Sequence, residues 1–160
     1  MIDNRQKIIG GRIRGFTLLE LVVGIAILFI LLLVGVWHWG SISREQALSK
    51  DRLTLMSLFE EARSLAVSSK SNSAYGINFS STTAIVFQGN PYNGSNTVLN
   101  TYGLNNLVQI SAVNLSGGGF NVYFERLTGN TGQSGSIKLS LINDANSSST
   151  ITILGSGIVQ

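Results

Sequence analysis

Cysteine is absent from the chain. That excludes disulfides, thiolate metal sites and a cysteine nucleophile. Histidine occurs once, as His38, set between Trp37 and Trp39. No serine–histidine pair is therefore credible, and neither H-E-x-x-H nor a P-loop is present. The one proline is Pro91, so no proline breaks a helical pattern across residues 16–68. Charge is scarce, at 12% of residues, and uneven. Of eleven Lys and Arg, four (Arg5, Lys7, Arg12 and Arg14) precede residue 16, against Asp3 alone of eight acids, so seven of each sign remain beyond. The basic balance belongs to residues 1–15, and it is no argument for a nucleic-acid partner. Glu60 and Glu61 are neighbours on a helical pattern and point about 100° apart, so they are no paired-carboxylate site. Asp144-Ala145-Asn146 supplies too few oxygen ligands for calcium. The residues offer no catalytic, cofactor-binding or metal-ligating set, and the chain reads as no enzyme.

The long apolar run dominates what is present. From Leu21 to Trp37 no side chain is charged or strongly polar. Counted from Phe16, the run reaches the roughly 20 helical residues that cross a bilayer's hydrocarbon core. Glu20 stands inside its N-terminal end. A carboxylate costs about 2.5–3.5 kcal/mol at the centre of such a helix and less near an end. Its helical neighbours at three and four residues onward are Val23 and Gly24, and no cation follows before His38. The partner must come from elsewhere, and a cut between Gly15 and Phe16 would supply one, the new α-amine of Phe16. Basic residues ahead of the run keep residues 1–15 cytoplasmic and send the C-terminus out. Trp37, His38 and Trp39 mark the outer interface. Gly24, Ala26 and Gly35 are small enough for close helix approach, and Gly35 and Gly40 are the weak points of the helix. A cleavable secretory signal would have a shorter core, about 7–15 residues, and an A-x-A-like site after it; neither is found.

Beyond Ser41 the pattern stays helical. Leu48, Leu55, Leu58, Phe59, Ala62, Leu65 and Ala66 form one apolar stripe. Arg44, Glu45, Lys50, Asp51, Arg52, Glu60, Glu61 and Arg63 are expected on the remaining surface. One helix of about 50 residues follows. After Ser68–Ser73 the period becomes two. Tyr75–Phe79 and Thr83–Gln88 read as a hairpin. Val98–Leu99, Leu107–Leu115, Phe120–Phe124, Ile137–Ile142 and Thr150–Leu154 read as further strands, with a loop at Asp144–Ser149. Loops Gly89–Asn96 and Thr128–Gly135 are expected to be exposed and mobile. Connections too short for crossover helices predict antiparallel pairing. The fold expected is α+β, a long N-terminal helix packed on antiparallel sheet. Its parts are a basic leader (1–15), an anchoring and assembly helix (16–40), an amphipathic helix (41–69) and a β-sheet part (70–160).

Residues Gly15-Phe16-Thr17-Leu18-Leu19-Glu20-Leu21-Val22-Val23 resemble the class III signal of type IV prepilins and pseudopilins. The resemblance implies that a prepilin peptidase cuts after Gly15, that Phe16 becomes an N-methylated N-terminus, and that Glu20 is the acidic fifth residue used in assembly. It implies a filament subunit, of a type IV pilus or a type II secretion pseudopilus. Its partners would be other pilin subunits and an inner-membrane assembly platform. It would sit in the bacterial inner membrane with its C-terminal domain outside the cytoplasm, before entering the filament. No cofactor is implied. Glu61-Ala62-Arg63-Ser64-Leu65-Ala66, Tyr75-Gly76 and the Gly-rich C-terminal strands resemble the H-type pseudopilin and T-type minor pilin subgroup. Some of that subgroup bind DNA through a basic C-terminal tail, and this chain has no Lys or Arg beyond Lys138. A DNA-binding minor pilin and an anchored surface domain that never polymerises are the alternative readings.

Overall fold

The computed structural model describes residues 15–160, except the side chains of residues 34–42. The chain separates into two compact units, Met1–Gly40 and Ser41–Gln160. Helix α1 (Leu18–Val67) contributes to both.

In the first unit every described side chain from Phe16 to Leu33 is exposed. Leu18 is 83% exposed and Leu33 71%. Among the described residues no helix is long and apolar enough to cross a membrane. The run expected to do so continues through Val34–Trp37. Those side chains, with His38, Trp39 and the glycines Gly35 and Gly40, lie outside the described ones, as does the leader up to Arg14.

The second unit carries the rest of α1, a short 3₁₀ turn at Lys70–Asn72 and seven strands. These are β1 (Tyr75–Phe79), β2 (Thr83–Gln88), β3 (Thr97–Gly103), β4 (Val108–Leu115), β5 (Asn121–Phe124), β6 (Gly135–Leu141) and β7 (Asp144–Ile153). One sheet has the order β3-β2-β1-β5 and the other β4-β6-β7. All pairings are antiparallel, as short connections require. The α1 stripe packs into a core shared with both sheets. Leu55, Phe59, Ala62 and Ala66 are almost wholly buried, and Leu65 packs at the margin. Phe59 stacks on Phe79 of β1 at 5.5 Å and meets Phe124 of β5 edge-on at 6.3 Å. Burying one such side chain stabilises by about 1.5–3 kcal/mol.

A separate aromatic cluster lies outside that core. Phe87 is fully buried against Tyr92 at 4.7 Å and Tyr123 at 5.9 Å. Gly76 makes room for it, since a Cβ there would come within 2.7 Å of the Phe87 ring and 2.8 Å of the Val122 carbonyl oxygen. The chain from Gly89 to Asn96 folds over this cluster. The Tyr92 N–H donates to the Tyr123 hydroxyl at 3.1 Å, and the Asn96 side-chain amide donates to the Gln88 and Pro91 carbonyls.

Several expectations are corrected. Asp51, expected on the surface, is 1% exposed and faces β3. Asp144–Ser149 is not a loop: β7 begins at Asp144, and only Ile142 and Asn143 make the turn from β6. Thr128–Gly135 is not an open loop either. Thr131 is buried, its N–H donates to the Gly155 carbonyl at 3.0 Å, and the Glu125 N–H donates to Asn130. The strand expected at Val98–Leu99 extends from Thr97 to Gly103.

Candidate processing and assembly site

Helix α1 starts two residues after Phe16. Thr17 caps it: the Glu20 N–H donates to the Thr17 hydroxyl at 3.2 Å, and the Leu21 N–H to the Thr17 carbonyl at 3.2 Å. Thr17-Leu18-Leu19-Glu20 is thus a T-x-x-E capping sequence. The resemblance points to Glu20 and implies nothing of Thr17. The spacing of three between a hydroxyl and an acid was the available signal. A carboxylate in the first turn also complements the helix dipole, so Glu20 has a local reason to stand there as well as the one proposed below.

Gly15, Phe16 and Glu20 are all exposed. A Cβ placed on Gly15 meets nothing within 4 Å, and the same holds at Gly24. No contact within the described chain demands a glycine at position 15. Gly24 leaves an open notch on a helix face crowded with Leu, Ile and Val, where another helix can approach closely. The apolar side chains on the same face one turn on, Ile27 at 53% exposure and Leu28 at 58%, have no partner among the described residues.

Three of the polar arrangements in the second unit involve an acidic or basic side chain that joins two elements or closes a turn. At the first, both oxygens of Asp51 accept: from the Tyr102 hydroxyl at 2.7 Å and the Asn105 N–H at 2.8 Å. Burial first, and the Asp51 hydrogen bond second, raise the Tyr102 phenol above its usual value. The site ties α1 to β3 and the turn after it. At the second, the end of α1 meets the end of β7. Arg63 donates from Nε to the Ser156 carbonyl at 3.3 Å, and the Leu127 N–H donates to Ala66. Gly129 and Gly157 adopt positive φ beneath Arg63, where a Cβ on Gly157 would strike the Gly129 carbonyl. Four residues of Glu61-Ala62-Arg63-Ser64-Leu65-Ala66 have a defined place in the packing. Ala62 and Ala66 are in the core, Arg63 grips the last turn, and Glu61 accepts from Asn100 of β3. At the third, Asp144 accepts from the Ser147 hydroxyl at 2.7 Å and the Asn146 N–H at 3.1 Å. Those bonds, the Ser147 one foremost, lower its pKa. Among the described residues no group of His, Cys, Asp or Glu is placed to hold a metal.

Residues 11–36 match the prokaryotic N-terminal methylation motif. The matched stretch contains Gly15, Phe16 and Glu20. The motif is that of a pilin-type signal, and it supports a type IV pilin-like precursor, a class that is structural and not catalytic. No curated protein and no solved structure matches the chain.

Proposed function

We propose that the chain is a subunit of a type IV pilus-like filament or a type II secretion pseudopilus. A prepilin peptidase cuts it between Gly15 and Phe16, methylates Phe16, and an inner-membrane platform assembles the product with other pilin-type subunits. The observation that carries this reading is the methylation motif at residues 11–36, leading into a helix whose apolar side chains are exposed. Such a surface is stable only in lipid or against other helices. Lipid first and neighbouring subunits later would cover it. Nothing among the described residues needs glycine at position 15, which suits a requirement set by the peptidase.

Glu20 gives the assembly its register. Alone in a membrane it lowers its cost by protonation or by drawing in water. In a bundle of staggered helices, the Phe16 amine of one subunit meets the Glu20 carboxylate of the next. Desolvating both ions leaves little net gain over an apolar pair. A wrong stagger, however, strands a buried charge, which costs about 3–5 kcal/mol. The amine exists only after the cut, so cleavage has to precede assembly. Mature-form abundance and filament yield in Glu20→Val and Glu20→Gln cells test this. Both variants are expected to be cut and inserted, and Glu20→Val to yield few or misregistered filaments. Normal filaments from cut Glu20→Val protein would dispose of the charge pair.

A further inference from the structure

Of the fourteen asparagines in the chain, only Asn93 precedes a glycine. The pair lies in the loop over Phe87, where Asn93, Gly94 and Ser95 are all exposed. Gly94 has no side chain to cover its own nitrogen, and a Cβ placed there would meet nothing within 4 Å. Its N–H has no hydrogen-bond partner among the described residues. The Asn93 side chain is held beside it. The Asn93 Oδ1 accepts from the Ser95 N–H at 2.9 Å, and the Asn93 N–H donates to Asn96 Oδ1 at 2.7 Å. The first of these bonds closes a ring that spans Gly94, so the Asn93 carboxamide is folded forward, toward the Gly94 nitrogen.

We propose that Asn93 is a self-modification site, converted to an acid through a cyclic imide in the folded protein. The Gly94 nitrogen bonds to the Asn93 Cγ and gives up its proton. Negative charge develops on Oδ1, where the Ser95 N–H already donates, as an oxyanion donor does. Holding the two groups together removes the cost of bringing them into position. The Cγ–Nδ2 bond then breaks, and the NH₂ group leaves as ammonia with the proton released by Gly94. Water opens the five-membered ring. Attack at Cγ leaves aspartate with the main chain as it was. Attack at the Asn93 carbonyl carbon leaves an isoaspartyl link, with the main chain running through Cβ and Cγ. The net change is one water consumed and one ammonia released. The position of the product gives it weight. From Ser71 to Phe124, the span of β1 to β5, no residue is Asp, Glu, Lys, Arg or His. The new carboxylate is the first charge on that stretch, and it leaves residues 16–160 with seven cations against eight acids. Aspartate at this position still accepts from the Ser95 N–H, now in a charge-assisted bond, so the loop keeps its form while its surface charge changes. The conversion requires neither the cut at Gly15 nor assembly.

Full-length protein, purified from the membrane in detergent and kept folded at pH 8, tests this by peptide mass mapping over time. Trypsin releases the site within residues 71–126, since no Lys or Arg lies between Ser71 and Arg126, and fragmentation of that peptide locates the change. The expected result is a rising fraction of aspartyl and isoaspartyl forms at residue 93, with the other asparagines of the peptide unchanged. The rate is expected to be no slower than in a synthetic peptide of residues 89–97. Asn93→Gln is expected to lose the conversion, because its longer side chain must close a larger ring. Gly94→Ala is expected to slow it in both the protein and the peptide. A folded chain that stays amide at residue 93, or converts more slowly than the peptide, would overturn the proposal. So would acid forms spread evenly over the other asparagines, or a rate untouched by Gly94→Ala.

Discussion

Phe59 of α1 packs against two neighbouring strands, through Phe79 on β1 and Phe124 on β5. Phe59→Ala is expected to cost about 3–5 kcal/mol, measured by urea unfolding of residues 43–160. A cost below about 0.5 kcal/mol would be that of a surface site. Asp51 is the polar counterpart. Asp51→Ala leaves the Tyr102 hydroxyl and Asn105 N–H without their acceptor, at about 1–3 kcal/mol for each group that stays buried. The phenol also gives the fold a pH limit. Its folded pKa is raised above 10.0, by burial and then by Asp51. Above pH 10 the unfolded chain has released this proton while the folded chain still holds it, so stability is present below that pH and falls above it. Tyr102→Phe removes this part of the alkaline loss, and unfolding curves at pH 8 and above pH 10 check it. The place of Asp51 was legible. It lies three residues after Leu48 and four before Leu55, on the stripe itself. Its charge argued for the surface, and the partners that overrule the charge come from β3, far along the chain.

The elements that were legible have a clean period. Tyr75–Phe79 and Thr83–Gln88 alternate and became β1 and β2 as expected, and the stripe of α1 went to the core. The segment Asp144–Ser149 has no apolar alternation and the composition of a loop, yet it is strand. Its partner is β6, through Ser140 against Ser148 and Leu139 against Ser149. Strand preference is set mostly by such neighbours rather than by residue type. Thr128–Gly135 misled for a related reason. Its glycines do mark turns, but Gly129 is there because Val67 and Arg63 press on it. Hydrogen exchange separates the two glycine-rich loops. The amides of Gly129 and Thr131 are expected to be protected like those of the strands, through Glu125 and Gly155, while Gly94, exposed in the loop over Phe87, exchanges quickly. Gly157→Ala is expected to destabilise by more than about 1 kcal/mol, the least that a left-handed φ costs an L-residue, because the added methyl also meets the Gly129 carbonyl.

For the whole molecule, removal of residues 1–15 takes away four cations and one acid and leaves seven charges of each sign. N-terminal sequencing of protein from the native membrane is expected to begin at Phe16, and a chain beginning at Met1 in assembled filaments would refute the cut. A bulky replacement of Gly15 is expected to block the cut. The division at Ser41 has an experimental use. Both tryptophans, Trp37 and Trp39, lie ahead of it, and all four tyrosines lie after it. A fragment of residues 43–160 therefore has no tryptophan, and tyrosine dominates its ultraviolet emission. Two of the four, Tyr92 and Tyr123, stand against Phe87 on the far side of the sheet from α1. The Gly76 pocket thus doubles as an optical probe. The change in near-ultraviolet dichroism of this fragment on Tyr92→Phe or Tyr123→Phe reports the packing of that outer face, with no tryptophan signal from the helix to mask it.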